Sequence, residues 1–408
     1  MTRIVFSGGR VFTGRASEPG DVVVENDRIV DVGIGLDGDT KVDATGHTIL
    51  PGLFDCHVHL MFSGADLVRS LNTPFSLPFY EAIGNMKATL QCGITTVRDA
   101  LGADLGVAEA VRRGLVQGPR MQIAVNMVSQ TGGHNDDWMQ CGAHISPPLH
   151  PGLPDTVADG PEELRKVIRT LVRHGADIIK IASSGGVMSP RSNPRHAHFR
   201  DEEIAMIVQE ANAAGIAVMS HAMSGDGILT AVRNGVRSIE HGVFLTDEGV
   251  EEMLKNGTWL VPTLMAPRMV LDQAAAGMAI SDVILDKANA VVSQHFQAFQ
   301  KAHQAGVKIA MGTDSGVGPH GDNLNELTLM VEYGMSPAEA LHATTTSAAE
   351  LMRLGNELGE LAPGKLADLV LVEGDAEQHV KAGTLKQAIR AVYQNGVSQS
   401  GAVQNVAG

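Results

Sequence analysis

Eight short β-rich runs, separated by stretches of helical period, restrict the fold of this chain more than any other feature. The runs are residues 53–59, 95–99, 121–127, 178–182, 216–221, 238–241, 259–264 and 308–314. Six of them follow a helical stretch that ends in glycine, at Gly93, Gly175, Gly215, Gly235, Gly257 and Gly306. Glycine just past a helix supplies a left-handed cap, so this repeat indicates βα units and parallel strands.

Eight such units predict an α/β protein with a (β/α)8 TIM barrel, whose active site lies at the C-terminal ends of the strands. A doubly wound open sheet is the competing fold. However, no G-x-G-x-x-G motif follows the first strand, and that motif is typical of dinucleotide-binding sheets.

Both ends of the chain are rich in strand-forming residues, at 4–6, 21–25 and 28–32 and again at 367–374 and 391–397. Asn26-Asp27 between two of these runs is a hairpin signal. Neither end has enough apolar residues for a core of its own. We therefore expect residues 1–50 and 361–408 to form one small β-sandwich domain, attached to a barrel of residues 51–360.

Charge and cysteine content exclude several function classes. The 408 residues carry a formal net charge of -15, which argues against a nucleic-acid or anionic-membrane surface. Cys56, Cys92 and Cys141 are far apart and odd in number, so a reducing compartment without disulfides is expected. Because no apolar run has the length of a signal peptide or a membrane span, we expect a cytoplasmic soluble protein.

Polar residues fall at the ends of several predicted strands. His57 and His59 share one face because strand side chains alternate, and the others are Lys180, His221, His241 and Asp314. A buried ammonium such as that of Lys180 costs several kcal/mol unless it is paired, exposed or chemically converted. Taken alone, His221 or His241 is equally compatible with a structural role. All six together favour a metal site.

This pattern resembles the amidohydrolase superfamily of the binuclear type. Residues 50–59, LPGLFDCHVH, and 361–370, LAPGKLADLV, are similar to signatures of that family. The resemblance implies that His57, His59 and Asp314 bind a more buried metal ion. His221 and His241 would bind a more exposed one, and Lys180, carboxylated by carbon dioxide, would bridge the two. Zinc is the expected metal.

The resemblance also implies a mechanism, in which a metal-bridging hydroxide attacks an amide carbonyl. Asp314 would move the proton to the leaving nitrogen, and His134, after the third strand, would stabilise the oxyanion. The deaminase branch carries His-x-x-Glu after the fifth strand. Here residues 221–224 read HAMS, so hydrolysis of an amide is favoured over deamination.

Within the superfamily, the chain looks like the Xaa-Pro dipeptidase and Xaa-Arg(Lys) carboxypeptidase subgroup, which is related to imidazolonepropionases. Residues 95–100, 180–187 and 237–242 carry that likeness. We expect cleavage of dipeptides or N-acyl amino acids, with a hydrophobic or Pro-type C-terminal residue favoured. A charged partner for a substrate carboxylate would come from the loop 183–200, and a homo-oligomer is expected from family likeness.

The expected substrate-binding residues are His134, Trp138, Gly185, Gly186, Val187, Arg191, His198 and Met223. Asp136 and Asp137 leave open a preference for Arg or Lys side chains. Hydrolysis of a cyclic amide, carbamate or lactone, or of a bulky N-acyl amino acid, stays an alternative. The six intact ligand positions argue against a scaffold without catalysis.

Overall fold

The computed structural model describes residues 2–64, 66, 69–136, 138, 141–143, 149–400 and 405–406, and its content is mixed α/β with several sheets. The strands are β1 Arg3–Phe12, β2 Ser17–Glu25, β3 Arg28–Gly33, β4 Thr40–Asp43, β5 His47–Pro51, β6 Leu53–Val58, β7 Ile94–Asp99, β8 Arg120–Ile123, β9 Met127–Val128, β10 Ile178–Ala182, β11 Ala217–Ala222, β12 Ser238–His241, β13 Trp259–Val261, β14 Leu369–Glu373, β15 Ile389–Gln394, β16 Val397–Ser400 and β17 Asn405–Val406. The helices are α1 Leu77–Gln91, α2 Leu105–Arg112, α3 Gly160–Arg173, α4 Asp201–Ala213, α5 Gly225–Arg233, α6 Asp247–Asn256, α7 Met265–Ala275, α8 Asp282–Ala305, α9 Asn325–Glu332, α10 Pro337–Ala343, α11 Thr346–Leu351, α12 Ala376–Ala382 and α13 Leu385–Ala388.

Two parallel sheets carry the central part of the chain. One has the order β6-β7-β8, and the other has the order β13-β12-β11-β10-β9. β8 and β9 together correspond to the single predicted run 121–127. They are separated at Val125, whose φ of 65° lies in the left-handed region, so one continuous strand cannot form there.

The predicted eighth strand, residues 308–314, differs from the structure. Only Ile309 makes a strand-type bridge there, to Leu260. The segment nevertheless runs between β13 and β6: Leu260 N–H donates to Lys308 O, and Cys56 N–H donates to Met311 O. The left-handed φ of 64° at Asp314 interrupts the regular ladder.

The glycines that were predicted to end helices are confirmed in that role. All six have positive φ values between 66° and 90°, at Gly93, Gly175, Gly215, Gly235, Gly257 and Gly306. Between the predicted runs 259–264 and 308–314, the expected helical stretch is present as α7 and α8. Among the described residues, no helix is long and apolar enough to cross a membrane.

The two ends of the chain form one nine-stranded sheet, with the order β16-β15-β14-β5-β1-β2-β3. In addition, β4 pairs with β1, and β17 pairs with β4. Asn26 and Asp27 make the predicted hairpin turn between β2 and β3, which pair from Glu25 to Arg28. Apolar side chains from both ends share one buried cluster, which includes Phe6, Val22, Ile49, Leu369 and Tyr393. The two ends of the chain therefore share one sheet and one apolar cluster.

Candidate active site

The central parallel strands and the segment 308–314 bring the six candidate ligands together. Lys180 Nζ lies 3.3 Å from His57 Nε2, and the Asp314 carboxylate lies 3.4 Å from His57 and 3.0 Å from His59. The ring centroids of His221 and His241 are 4.7 Å apart, and that of His241 is 5.2 Å from that of His57. Since the carboxyl ends of parallel strands meet at one edge, residues far apart in sequence converge here.

His57, His59 and Asp314 could hold a metal ion. Each places one ligand atom within 4.8 Å of those of the other two. Imidazole nitrogen and carboxylate oxygen are ligands that suit zinc and similar divalent ions. The donor set therefore fits the metal that the sequence predicts.

The outer nitrogen of three candidate imidazoles is fixed by a hydrogen bond. His57 Nδ1 pairs with Glu240 Oε2 at 2.8 Å, and His59 Nδ1 pairs with Leu101 O at 3.1 Å. His221 Nε2 pairs with Gly185 O at 3.0 Å. A carboxylate or carbonyl only accepts, so these ring nitrogens carry a proton. On His57 and His221, whose rings are neutral, the other nitrogen keeps its lone pair. Such outer contacts orient metal-binding histidines.

His241 is held differently, through its side chain and its backbone. Its Nδ1 lies 2.6 Å from Thr263 Oγ1, and its φ is 70°. Asp314 shares this left-handed conformation, with its N–H donating to His57 O at 2.7 Å. Non-glycine residues pay roughly 1–3 kcal/mol for such backbone strain, which clusters at functional sites.

A buried ion pair supports His57 from behind. Arg98 and Glu240 are both fully buried, and Arg98 Nη2 lies 2.9 and 3.1 Å from the two oxygens of the Glu240 carboxylate. Glu240 also accepts from Ser238 Oγ at 2.6 Å. Because the carboxylate pairs with a guanidinium and accepts hydrogen bonds from His57 and Ser238 as well, its burial is compensated.

Most protonation states suit ligation, whereas the neighbouring Asp314 carboxylate outweighs burial and raises the pKa of His59. Burial lowers the pKa of His57, His221 and His241 well below the ordinary value, so these rings are neutral near pH 7. Burial alone would raise the pKa of Asp314, but His57 and His59 outweigh it and hold that pKa well below its usual range. Burial lowers the pKa of Lys180 to about 8, which brings its neutral amine within reach at physiological pH.

His134 lies against this group, as the sequence predicts for an oxyanion donor. Its ring stacks on that of His221 with centroids 4.1 Å apart. Burial lowers the pKa of His134 to about 3, so the ring is neutral and carries one proton.

The cleft above these residues has two recesses that meet at His134, His221, His241 and Asp314. The large recess has a volume of about 260 Å³, and its walls include Phe62, Phe75, Phe79, Leu101, His150 and Leu153. The small recess has a volume of about 50 Å³, and its walls include Val187, Met188, Met223, Val243, Val270 and Val317. An apolar cleft around a few convergent polar groups is typical of a small-molecule site.

Comparison with known proteins agrees with this arrangement. The model of the amidohydrolase family matches residues 48–398. The chain belongs to the amidohydrolase family. It is a hydrolase of the kind that acts on C–N bonds, in a family that generally uses divalent metal ions.

Relatives of this amidohydrolase span nearly its whole length. The ochratoxinase of Aspergillus niger is 34% identical over 367 residues, which cover 85% of this chain and 75% of that protein. A solved Xaa-Pro dipeptidase with methionine bound in its active site is 30% identical, with a TM-score of 0.87 over 97% of this chain and 99% of that one. A prolidase in complex with N-methylphosphonate-L-proline is 34% identical, with a TM-score of 0.89 and the same coverage of both chains.

Some of the residues predicted to bind substrate in this amidohydrolase lie at the cleft. Val187 and Met223 line the small recess. Gly185 accepts from His221, and an added Cβ at Gly186 would lie 2.3 Å from His134 Cε1. The absence of a side chain at Gly186 therefore allows the close approach of His134, and Gly185 contacts His221 through its backbone oxygen.

Other predicted residues lie away from the lining of both recesses. Arg191 is exposed, with its guanidinium 5.1 Å from the ring of the exposed Trp138. His198 is buried, and its Nδ1 has no hydrogen-bond partner among the described residues. Asp136 accepts from Gly132 N–H, and Asp137 lies outside the described residues.

Several residues that shape the site were not predicted from the sequence. Arg98 and Glu240 are charged residues inside apolar strands, and the cost of burying a charge, which singles out Lys180, would have singled them out too. Ser189, which contacts His134, lies in a loop without a periodic pattern, as do Phe62, Phe75 and His150 of the large recess. For these loop residues the sequence offers no comparable signal.

Proposed function

We propose that this amidohydrolase is a binuclear metal-dependent enzyme that cleaves dipeptides or N-acyl amino acids with apolar side chains. The observation that carries the proposal is that the six potential metal ligands lie where two apolar recesses join. A linear amide could place one substituent in each recess, with the scissile bond beside Asp314 and His134. The two recesses differ in size, so the two substituents would differ in bulk.

The proposed ligand assignment follows the positions of the side chains. His57, His59 and Asp314 would hold one zinc ion, and His221 and His241 would hold the second. Lys180 would bridge them as a carbamate, formed when its neutral amine adds to carbon dioxide and loses a proton. The resulting anion replaces a buried ammonium, which is costly to leave without a counter-charge. Metal ions bound here would polarise the amide carbonyl and lower the pKa of water.

The chain's own residues would handle the proton and the developing charge. Asp314, ionised because its pKa is depressed, accepts the proton of the attacking water and delivers it to the leaving nitrogen. His134, neutral and stacked on His221, donates a hydrogen bond to the carbonyl oxygen as negative charge develops there. The apolar recess walls exclude water and strengthen both interactions.

An apolar amino acid on the leaving side is supported by two kinds of observation. The walls of both recesses are mainly aliphatic and aromatic. The two solved relatives carry methionine and an L-proline derivative. For the free carboxylate of such a substrate, Arg191, His198 and the loop glycines stay candidates, and Arg69 joins them because it lines the large recess beside Glu81.

We also infer that the central sheets form one closed (β/α)8 barrel of residues 51–360, with residues 1–50 and 361–408 as a small β domain. The hydrogen bonds of the segment 308–315 to β13 and β6 support closure. The reducing, cytoplasmic compartment expected from the sequence stays part of this proposal. The expected homo-oligomer is testable by sedimentation, where a monomer would contradict it.

The test combines a metal assay with a substrate panel. Two equivalents of zinc and release of amino acid from apolar dipeptides or N-acyl amino acids are expected, measured by ninhydrin. Less than about one equivalent of tightly bound metal contradicts the binuclear site. If a lactone or cyclic imide is cleaved while every member of the linear panel is not, the alternative substrate class is correct.

Lys180→Ala tests the bridging role. We expect loss of metal and activity with partial recovery in short carboxylic acids, which can replace the carbamate. Lys166→Ala, at an exposed position of α3, is the matched control. Full activity of Lys180→Ala without added acid would remove Lys180 from the site.

A further inference from the structure

The ring of His134 is confined by the loop that follows β10. His221 stacks on one side at 4.1 Å, and a Cβ added at Gly186 would lie 2.3 Å from the ring, so any side chain there would collide with it. His134 lines both recesses. No described residue forms a hydrogen bond with its Nε2, which leaves that nitrogen for a substrate.

A chain of hydrogen bonds reaches the other nitrogen of this ring. His134 Nδ1 lies 2.7 Å from Ser189 Oγ, and Ser189 Oγ contacts Ser192 Oγ. The chain ends at the backbone of Gly186, whose N–H donates to Ser192 Oγ at 3.1 Å. Both serines are buried, with 3% and 6% of their surfaces exposed.

The end at Gly186 gives the chain a direction. A backbone N–H only donates, so Ser192 Oγ accepts a hydrogen bond from Gly186. Among the described residues, the hydroxyl proton of Ser192 can then be donated only to Ser189 Oγ. Ser189, accepting from Ser192, then donates to His134 Nδ1. In the reverse direction the buried Ser192 proton has no partner among the described residues, which costs about 1–3 kcal/mol.

Lys287 of α8 holds the backbone of the same three residues. Its Nζ donates to Ser189 O at 2.7 Å, to Gly186 O at 3.4 Å and to Ser192 O. The Lys287 ammonium thus binds the backbone carbonyl groups of Gly186, Ser189 and Ser192, the three residues whose hydrogen bonds lead to His134. Lys287 therefore stabilises the backbone of the loop, while the serine hydroxyl groups orient the ring of His134.

We propose that Ser192 and Ser189, held by Lys287, are positioning residues that keep His134 in the tautomer with its proton on Nε2. That proton faces the cleft, where it donates to the oxygen of the bond under attack. Its use on an oxyanion rests on the proposed amide hydrolysis. The tautomer itself depends only on the hydrogen-bond chain.

The decisive measurement is nitrogen NMR of zinc-loaded enzyme labelled with ¹⁵N-histidine, with His134→Asn identifying the signals. A protonated Nε2 and an unprotonated Nδ1 are expected for His134. Ser189→Ala should mix the two tautomers, while Ser189→Thr keeps a hydroxyl and should preserve the wild-type signals. If His134 of the wild type carries its proton on Nδ1, the proposed direction of the hydrogen bonds is wrong, whether or not amides are cleaved.

Kinetics give the second readout, on the best substrate of the panel. Ser189→Ala and Lys287→Met should lower kcat by about 10- to 100-fold, as outer supporting contacts do, with little change in KM or zinc content. Ser293→Ala and Lys301→Met on α8 are matched controls and should match the wild type. Unchanged kcat in Ser189→Ala contradicts the positioning role. If the NMR pattern holds but no amide is cleaved, the proposed function fails while the tautomer assignment stands.

Discussion

The two recesses of the cleft meet at the same catalytic groups but are built from different parts of the chain. The small recess is enclosed by side chains that follow strands or lie on α7 and α8, and most are buried and aliphatic. The large recess is walled by aromatic side chains on α1 and on the connections after β6 and β9, and Phe75 among them is 53% exposed. A packed wall resists change, whereas an exposed loop wall can adapt. Selectivity should therefore be strict in the small recess and tolerant in the large one.

Substitutions at the catalytic groups shared by both recesses should have the largest effect, and they should lower kcat equally for all substrates. Asp314→Asn keeps the shape but removes the base, so kcat should fall by about 10²- to 10⁴-fold for every amide of the panel. Asp322→Asn, which alters an exposed pair with Lys386, is the control. A loss for only some amides would mean that the two recesses do not serve one centre.

Filling the small recess should have the next largest effect. Ala266, buried on its wall, replaced by leucine removes much of the space of about 50 Å³. Amides with a bulky group on one side should lose about 10- to 100-fold in kcat/KM, while their alanine counterparts are retained.

Ala275→Leu, at the exposed end of the same helix, controls for helix content. Measuring a series varied on the acyl side and another varied on the amine side identifies which half occupies the recess. An equal loss in all members of both series would show that Ala266→Leu acts on the fold instead.

Removing an aromatic side chain from the wall of the large recess should have a smaller effect on the kinetics. Phe75 touches Phe79 and His150 edge to face, with centroids 5.7 and 5.4 Å away. Phe75→Ala should raise KM for aromatic substrates by about three- to tenfold, since an edge-to-face pair contributes roughly 0.5–1.5 kcal/mol. Tyr80→Ala, exposed on α1 and outside the lining, should leave KM unchanged. A larger loss than that of Ala266→Leu would reverse the comparison.

The smallest effect concerns how the wall of the small recess depends on pH. Glu326 is fully buried and accepts from Leu264 N–H at 2.7 Å and Met265 N–H at 2.9 Å, at the start of α7. Burial raises the pKa of Glu326 from 4.5 to about 8. The folded state thus holds a proton that the unfolded state releases above pH 4.5, and this costs stability as pH rises.

The contribution of Glu326 to the free energy of unfolding should therefore decline between about pH 4.5 and 8 and level off above that range. It is measured as the difference between the wild type and Glu326→Gln in urea titrations at each pH. Glu326→Gln should flatten this decline, whereas Glu332→Gln, exposed at the other end of α9, should not. An identical decline in both variants would assign it to other groups.

Much of the fold was predictable because it is written in local patterns. Alternation and helical period located most of the central strands closely, and glycine marked the helix ends. The segment 308–315 was harder, because its hydrogen bonds alternate between two neighbours distant in sequence. The break at Val125 likewise follows from its surroundings, since valine has no intrinsic preference for positive φ.

The candidate site divides along the same line. The grouping of His57, His59, Lys180, His221 and His241 follows from the amino-acid pattern, because periodicity locates the strands and parallel strands bring their C-terminal parts together. Asp314 belongs to the same group, although its segment forms no regular strand. Three-dimensional packing was needed to show how Arg98 meets Glu240, how Ser192 and Ser189 reach His134, and how the two recesses differ. Those contacts join loops and helices far apart along the chain, and their geometry depends on packing that no local pattern records.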